Sequence, residues 1–577
     1  MNKIWLKSYP PGVPEHIDVR QLRSLKDMFE ESCRTHADRV AFVQMGRSMT
    51  FRELDRLSRD FAAWLQKDAG MKKGDRIAIM LPNVLQYPVA MFGALRAGLV
   101  VVNTNPLYTA PELEHQLKDS GAEVVVILEN FAHILQQVLP RTGVRVRRVV
   151  VTGVGDLLGF PKSWIVNYVV RHRRKQVPAW HIEGALSLRS ALAAGSRLAL
   201  DPVELGHDDL AYLQYTGGTT GVAKGAELTH GNMCANILQA EAWMGPSFER
   251  EPGTLATAIP LYHIFALMAN CLLFVKLGWR NVLIVNPRDL PGLVRELRKY
   301  PVAFFTGVNT LFNALLHTPG FETIDFSHLK VALGGGMAVQ AAVAERWKQV
   351  TGKVLTQAWG LTETSPAACI NPMGEDFNGS IGLPISSTEI SIKDDEGRDL
   401  GIGEIGEICV RGPQVMRGYW NRPEETAKVL MPDGWLRTGD IGRMDERGYV
   451  YIEDRKKDMV LVSGFNVYPN EVESVAVTHP GILEAAAVAQ PDEHSGEVVA
   501  LFVVRKDPSL TEQEVIEHCR KSLTGYKVPK HVYFRSELPK TNVGKILRRA
   551  LRDEIANMQA QRSQPERSAQ EKQETSA

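Results

Sequence analysis

Tyr215-Thr216-Gly217-Gly218-Thr219-Thr220-Gly221-Val222-Ala223-Lys224-Gly225 has little to pack with: four glycines, three threonines and one lysine in eleven residues. Such a stretch is a poor core element and a good wrapping for an anion. Glycine lets the backbone come close to phosphate oxygens, successive N–H groups form a concave anion site, and the hydroxyls and Lys224 add donors. It is not the common nucleotide loop G-x-x-x-x-G-K-[ST], because Lys224 stands three residues after Gly221 and is followed by Gly225. The spacing predicts a phosphate-binding loop of another kind, with a flexible surface turn as the alternative.

Around it the chain reads as α/β. Asp75-Arg76-Ile77-Ala78-Ile79-Met80, Leu99-Val100-Val101-Val102 and Val124-Val125-Val126-Ile127-Leu128 are short apolar runs between helical segments, the pattern of βα units in a parallel sheet. The segment Ser24 to Gln66 reads as helix, a strand at Val40 to Val43, then a helix capped by Thr50 with Glu53 at capping-box spacing. After the charged run Asp454-Arg455-Lys456-Lys457-Asp458 the chain looks like a separate small α+β unit. It has strands at Glu484 to Ala489 and Val498 to Val504 and a helix from about Thr511 to Leu523, with Ser509 and Glu512 at capping-box spacing and Gly525 as the stop. At 577 residues the chain is long enough for three or four domain-sized units.

Composition excludes several classes. Sixty-seven basic against 66 acidic residues leave a net charge of +1, so no field of one sign dominates and nucleic acid is not an indicated partner. The six cysteines lie far apart with no CxxC pair, which argues against a disulfide framework or a zinc site and fits a reducing cytoplasm. Met1 to Lys7 lacks the apolar region of a signal peptide. The most apolar run, Phe265 to Val275, is too short to cross a bilayer. One segment is unusual: Trp164, Ile165, Val166, Tyr168, Val169 and Val170 abut Arg171, His172, Arg173, Arg174 and Lys175. That arrangement suits an anionic membrane surface, or else a helix docked on its own domain with a solvated basic end.

Further stretches carry candidate chemistry. His263 sits in the apolar segment Pro260 to Phe265, where a satisfied core histidine is the common reading. Gly334-Gly335-Gly336 follows a strand-like run, and Trp359-Gly360-Leu361-Thr362-Glu363 sets an aromatic ring, a hydroxyl and a carboxylate side by side. Thr438-Gly439-Asp440 and a second glycine-lysine pair, Gly544-Lys545, come later.

In order and rough spacing, these motifs resemble those of the adenylate-forming enzymes: acyl-CoA synthetases, adenylation domains and beetle luciferases. The resemblance covers about residues 20 to 555. Closer still, Gly434 to Lys457, Ser463 to Glu471, Trp164 to Trp180 and Lys545-Ile546-Leu547-Arg548-Arg549 are similar to the bacterial long-chain-fatty-acid–CoA ligases. The resemblance implies an α/β fold with a large, multi-subdomain ATP- and acyl-binding domain over residues 1–456. A small mobile α+β domain carrying the catalytic lysine would follow at 457–555, with a hinge near Lys457 and a disordered tail at 556–577.

It also implies roles. Thr216, Gly217, Gly218, Thr219, Thr220, Gly221 and Lys224 would cradle the β- and γ-phosphates of ATP. Thr362 would contact the α-phosphate, and Thr216 and Glu363 would hold Mg²⁺. Gly334, Gly335, Gly336 and Trp359 would frame the adenine, and Asp440, with Arg455 beside it, the ribose. Lys545 would bridge the carboxylate and the α-phosphate. Rotation about Lys457 would then bring Gly464 to the channel for CoA, with His263 orienting the acyl group. The implied partners are a fatty acid, ATP and CoA, in fatty-acid degradation or lipid synthesis. A homodimer and a peripheral contact with the cytoplasmic face of the inner membrane are compatible with the sequence. A medium-chain or aryl-CoA ligase, an acyl-AMP ligase loading a carrier protein, and a non-catalytic acyl binder are the competing readings. Trp359 departs from the family, which usually has tyrosine there. An indole keeps the stack but has no hydroxyl, so a changed hydrogen bond is expected.

Overall fold

The computed structural model describes residues 3–216, 223–248, 252–492, 494–541 and 544–559. The expected phosphate contacts of Gly217, Gly218, Thr219, Thr220 and Gly221 lie outside the described residues. Within these residues the strands form sheets of seven, nine, four and five.

Continuous β-branched runs buried on both faces belong in parallel sheets, and Arg76–Met80, Val100–Asn103 and Val124–Leu128 pair in parallel in the seven-stranded one. Leu210–Thr216 extends it, and Lys224–Thr229 closes its edge in the antiparallel sense. Thr254–Thr257, Val302–Gly307, Val331–Gly334 and Leu355–Gly360 run parallel through the nine-stranded sheet. Parallel strands deliver their carboxyl ends to one edge, where α/β sheets bind ligands. Thr216, Thr257, Gly334 and Gly360 are such ends.

Glu389–Lys393, Gly406–Arg411, Leu436–Met444 and Val450–Arg455 make the antiparallel four-stranded sheet. The next sheet starts at Val460–Val462. It packs over apolar clusters drawn only from residues beyond that point, among them Val472, Leu501, Val515 and Phe502. Salt bridges join the two units. Arg548 is 2.9 Å from Glu473 and 3.6 Å from both Asp454 and Asp458, and Arg552 is 2.8 Å from Asp458. Asp454 and Asp458 flank Lys457, so these charges surround the expected hinge.

Local details correct the sequence reading. A second strand, Arg47–Thr50, pairs with Val40–Gln44 through a turn in which Met45 and Gly46 have φ of 49° and 79°; methionine at a left-handed position gave no turn signal. The Thr50 hydroxyl accepts the Glu53 N–H at 3.1 Å, but the Glu53 carboxylate turns to Arg47 at 2.7 Å instead of closing the box. The capping box of Glu512–Arg520 is Thr511 with Glu514, while Ser509 bonds Asp507. Gly525 opens a short 3-10 turn rather than stopping the helix. The final helix spans 548–559, four residues into the segment expected to be disordered, because Leu551 and Ile555 are buried against Phe502 and Leu538.

Candidate active site

A cavity of about 620 Å³ opens where the carboxyl ends of the two large sheets meet the four-stranded sheet and the small unit. Thr216, Lys224, His263, Gly335, Gly336, Trp359, Thr362, Glu363, Arg455, Lys457 and Lys545 all line it. These residues are spread over more than 300 positions of sequence and come from both units.

Lys545 reaches the cavity from a tight turn. Its N–H donates to the Thr541 hydroxyl at 3.1 Å, and the Thr541 N–H donates to its carbonyl at 2.7 Å. The Thr310 hydroxyl, in the large unit, donates to the Gly544 carbonyl at 3.0 Å. Gly544 has φ of 84°, and a Cβ there would stand 2.8 Å from that hydroxyl, so glycine is required on both counts. The lysine stem lies so close to Gly336 that a Cβ on Gly336 would be 3.2 Å from its Cε. Burial pushes the Lys545 ammonium down to about 8; Arg455 adds to this, while Asp440 and Glu363 oppose it. Lys457 is also lowered, by burial first and then by Arg455.

At one end, the Trp359 indole N–H donates to Asp440 Oδ2 at 2.9 Å, and Arg455 Nε lies 3.1 Å from Asp440 Oδ1. Asp440 is buried behind these two side chains. On the phosphate side, the Tyr419 hydroxyl donates to Glu363 Oε1 at 2.6 Å. Lys224 Nζ is 2.8 Å from Glu425 and lies 4.6 Å over the Tyr419 ring. The Thr216 hydroxyl faces the Lys224 carbonyl at 3.4 Å.

His263 starts the buried helical segment of Ile264–Ala266, Leu267–Leu272 and Leu273–Lys276, whose middle turn is a π-helix. Its Nδ1 accepts the Phe265 N–H at 3.3 Å, so the ring proton sits on Nε2. Burial, with the Lys545 charge adding, drives its imidazolium down to about 3. His263 is therefore neutral at ordinary pH, with its Nε2–H left as a donor. Buried amides fix the strand end before it. Asn83 donates to the Thr257 and Ile259 carbonyls at 3.0 and 3.1 Å, Tyr87 to the Leu261 carbonyl at 3.0 Å, and Gln214 to that of Tyr262 at 2.7 Å. Beyond His263 the walls turn apolar with Ala240, Met244, Phe265, Met268, Ala269 and Ile370.

Three expected site residues among those described stand apart from the cavity lining: Gly334, Gly464 and Asp440, which is buried behind Trp359 and Arg455. Gly334 faces Val339, whose Cγ2 would lie 2.7 Å from a Cβ at that position, while Gly335 and Gly336 line the cavity. Gly464 is in the turn between Val460–Val462 and Phe465–Val467 of the small unit, outside the cavity lining. Sequence reasoning missed Tyr419, Glu425, Asn83 and Gln214, which reach the site only through long-range contacts. A second recess, of about 770 Å³, has three of its four lining arginines committed to protein carboxylates: Arg52 to Asp38, Arg34 to Glu31, and Arg96 to Glu30 and Asp55.

The family model of the AMP-binding enzymes matches residues 29–420, and that of the AMP-binding enzyme C-terminal domain matches residues 471–545. A long-chain-fatty-acid–CoA ligase of Escherichia coli O157:H7 is 57% identical over 555 residues, covering 96% of this chain and 98% of that one. One from Haemophilus influenzae is 52% identical over 560 residues, 96% of this chain and 99% of its own. Among solved structures, an anthranilate CoA ligase in complex with anthranoyl-AMP superposes with a TM-score of 0.84 at 25% identity, over 94% of this chain and all of the other.

The depressed value of Lys545 has a direct consequence. Without nucleotide, its neutral, nucleophilic form grows in as pH rises through about 8, below the range of an ordinary lysine. Labelling with a small amine-reactive reagent, followed by peptide mass spectrometry, should give a half-maximal rate for Lys545 near pH 8. Exposed lysines should lag by more than about two units, Lys428 among them, whose ammonium Glu425 holds above its usual range.

Proposed function

The chain belongs to the AMP-binding enzyme family, and from that premise we propose that it is a long-chain fatty acid–CoA ligase acting in two half-reactions. A carboxylate is a poor acyl donor because its leaving group would be oxide. In the first step a carboxylate oxygen attacks the α-phosphorus of ATP, the bond from that phosphorus to the bridging oxygen breaks, and pyrophosphate departs. In the second the sulfur of CoA adds to the acyl carbonyl and AMP leaves. The first step joins two anions, so the site must neutralise charge and hold the reactants in line.

The placement of Lys545 supports this division of labour most strongly. It is buried in the same cavity as Thr362, Glu363 and Trp359, where a point charge suits contact with both the carboxylate and the α-phosphate. Thr216 and Lys224 take the β- and γ-phosphates, Lys224 exchanging Glu425 for phosphate oxygens. Trp359, Gly335 and Gly336 take the adenine, and Asp440 with Arg455 the ribose. Glu363, steadied by Tyr419, and the Thr216 hydroxyl form a hard-oxygen set that fits Mg²⁺ together with phosphate oxygens; the ion supplies charge neutralisation toward the leaving pyrophosphate. His263 donates through Nε2 toward the acyl oxygen, and the fatty chain runs on between Ala240, Met268 and Ala269.

Residues 457–555 act as a domain turning about Lys457. The turn withdraws Lys545 and presents the Ser463-Gly464-Phe465 loop for thioester formation.

The aromatic–basic segment supports a peripheral membrane contact. Lys162–Tyr168 docks through Ser163, which is buried, and Asn167, whose side chain bonds Asp156 and the Gly155 N–H. Its aromatic stripe faces outward: Trp164 is 64% exposed, Phe160 91% and Tyr168 46%, beside the exposed Arg173, Arg174 and Lys175. Exposed aromatics next to cations fit the interface of an anionic bilayer.

Three outcomes are expected. Across a panel of C2 to C18 carboxylates, ATP- and CoA-dependent AMP release should be greatest with long chains; a maximum with aryl or short acids would overturn the substrate assignment. Lys545→Ala should lower pyrophosphate release about 10²–10³-fold while sparing thioester formation from supplied acyl-AMP, and an equal loss in both halves would refute the domain rotation. The protein should co-sediment with phosphatidylglycerol vesicles more than with phosphatidylcholine ones, and Phe160→Ala with Trp164→Ala should abolish the difference. Binding that ignores lipid charge or these two residues would remove the membrane face.

A further inference from the structure

Asp440 is 2% exposed, and the protein reaches both of its oxygens. The Trp359 indole N–H donates to Oδ2 at 2.9 Å, and Arg455 Nε stands 3.1 Å from Oδ1. Each carboxylate oxygen has two lone-pair sites, so both still have capacity for a ligand. One donor on each oxygen fixes the plane of the group, which a single donor does not. The backbone beneath is held separately: the Asp440 N–H donates to the Thr438 hydroxyl at 3.1 Å, that hydroxyl donates to the Ile408 carbonyl at 2.7 Å, and the Gly439 N–H donates to Glu407 at 3.0 Å. These anchors all come from the four-stranded sheet. Trp359, near the end of the strand Leu355–Gly360 of the nine-stranded sheet and 81 residues away in sequence, ties the end of that strand to the Asp440 side chain.

We infer that Trp359 is a positioning residue for ribose recognition: through its indole N–H it orients the Asp440 carboxylate so that both oxygens meet the vicinal 2′- and 3′-hydroxyls of the nucleotide. The inference rests on the nucleotide reading of this cavity and goes beyond the stacking role of the ring. The N–H belongs to the ring edge, so the bond to Asp440 leaves the ring face free for the base. Base and sugar are then read by one rigid unit. Phenylalanine at this position keeps a face and loses the tie, and Asp440, held by Arg455 alone, is free to turn.

The test compares kcat/KM for AMP release with ATP, 2′-deoxy-ATP and 3′-deoxy-ATP in the full-length enzyme and in Trp359→Phe. The wild type should prefer ATP. Trp359→Phe should shrink that preference about tenfold, the scale of one hydrogen bond to a charged group, because ATP loses more than either deoxy nucleotide does. In an Asp440→Asn background the same substitution should leave the preference where it was. Trp359→Met also lacks a donor and must give the same change in preference, so a poorly folded Phe variant does not stop the test. If Trp359→Phe lowers all three nucleotides by one common factor, the indole acts by stacking or packing alone and the inference is wrong. A wild type indifferent to the ribose hydroxyls overturns it equally. A wild type that releases no AMP from ATP and fatty acid refutes the functional reading instead, which keeps the two failures distinct.

Discussion

Taking the Lys545 ammonium out of water beside the Arg455 guanidinium costs free energy that an anion in the cavity returns. Burial and Arg455 both push the lysine toward its neutral form, and Asp440 and Glu363 offset this only in part. Lys457 is under the same pressure. Lys224, by contrast, is held by Glu425 and lies over Tyr419, so its charge is stored on a protein partner. The cavity thus collects cations that are under-compensated around Lys545, Lys457 and Arg455. Donors fixed before the charge arrives need no reorganisation when it does. In the proposed reaction the same imbalance would favour release of the small domain once pyrophosphate, with its negative charge, has gone.

Docking of that domain is built from few directional contacts near the lysine and many charges near the hinge. Thr310 meets the Gly544 carbonyl, and the stem of Lys545 lies on Gly336. Behind them Arg548 and Arg552 are shared among Asp454, Asp458 and Glu473. Asp454 is the member on the large-unit side, in the strand Val450–Arg455, and it also accepts the Asn470 N–H at 2.8 Å. Its burial raises it and Arg548 opposes that rise. In the proposed rotation about Lys457 the arginine would stay with Glu473, at 2.9 Å, and give up its contact to Asp454, at 3.6 Å. A charge cluster with several interchangeable carboxylates is less costly to re-pair than a single close ion pair.

How much of this was legible in the sequence depended on whether a signal was local. The apolar runs of the parallel strands carry their meaning in neighbouring residues and stand where they were expected, and Gly335, Gly336 and Lys545 line one cavity. Glu363 was legible as a carboxylate beside an aromatic ring and a hydroxyl, but its partner Tyr419 lies 56 residues on, and the Glu425 that holds Lys224 is 201 residues away. Neither spacing has a periodicity to betray it. The cap at Thr511 was missed for the opposite reason: Ser509 and Glu512 matched the same short pattern, and only the Asp507 turn, which takes the serine, decides between them. The aromatic stripe at Trp164 was visible as composition, yet which face of the helix it occupied was settled by Asn167 and Ser163 docking on the other.

The apolar half of the cavity and its reactive half are joined at His263. The amides of Asn83 and Gln214 and the hydroxyl of Tyr87 fix the backbone that leads to it, and its own Nδ1 caps the helix that follows. That helix supplies Met268 and Ala269 to the apolar wall, opposite Ala240 and Met244. Small residues leave width for a hydrocarbon chain, and methionines adapt their shape to it. The intervening π-turn, Leu267–Leu272, is the kind of local widening often kept at functional sites. The same few bonds that place the histidine donor therefore also set the course of the apolar wall beyond it, so in the proposed reaction the walls that accept a long tail would also align its carboxylate for attack.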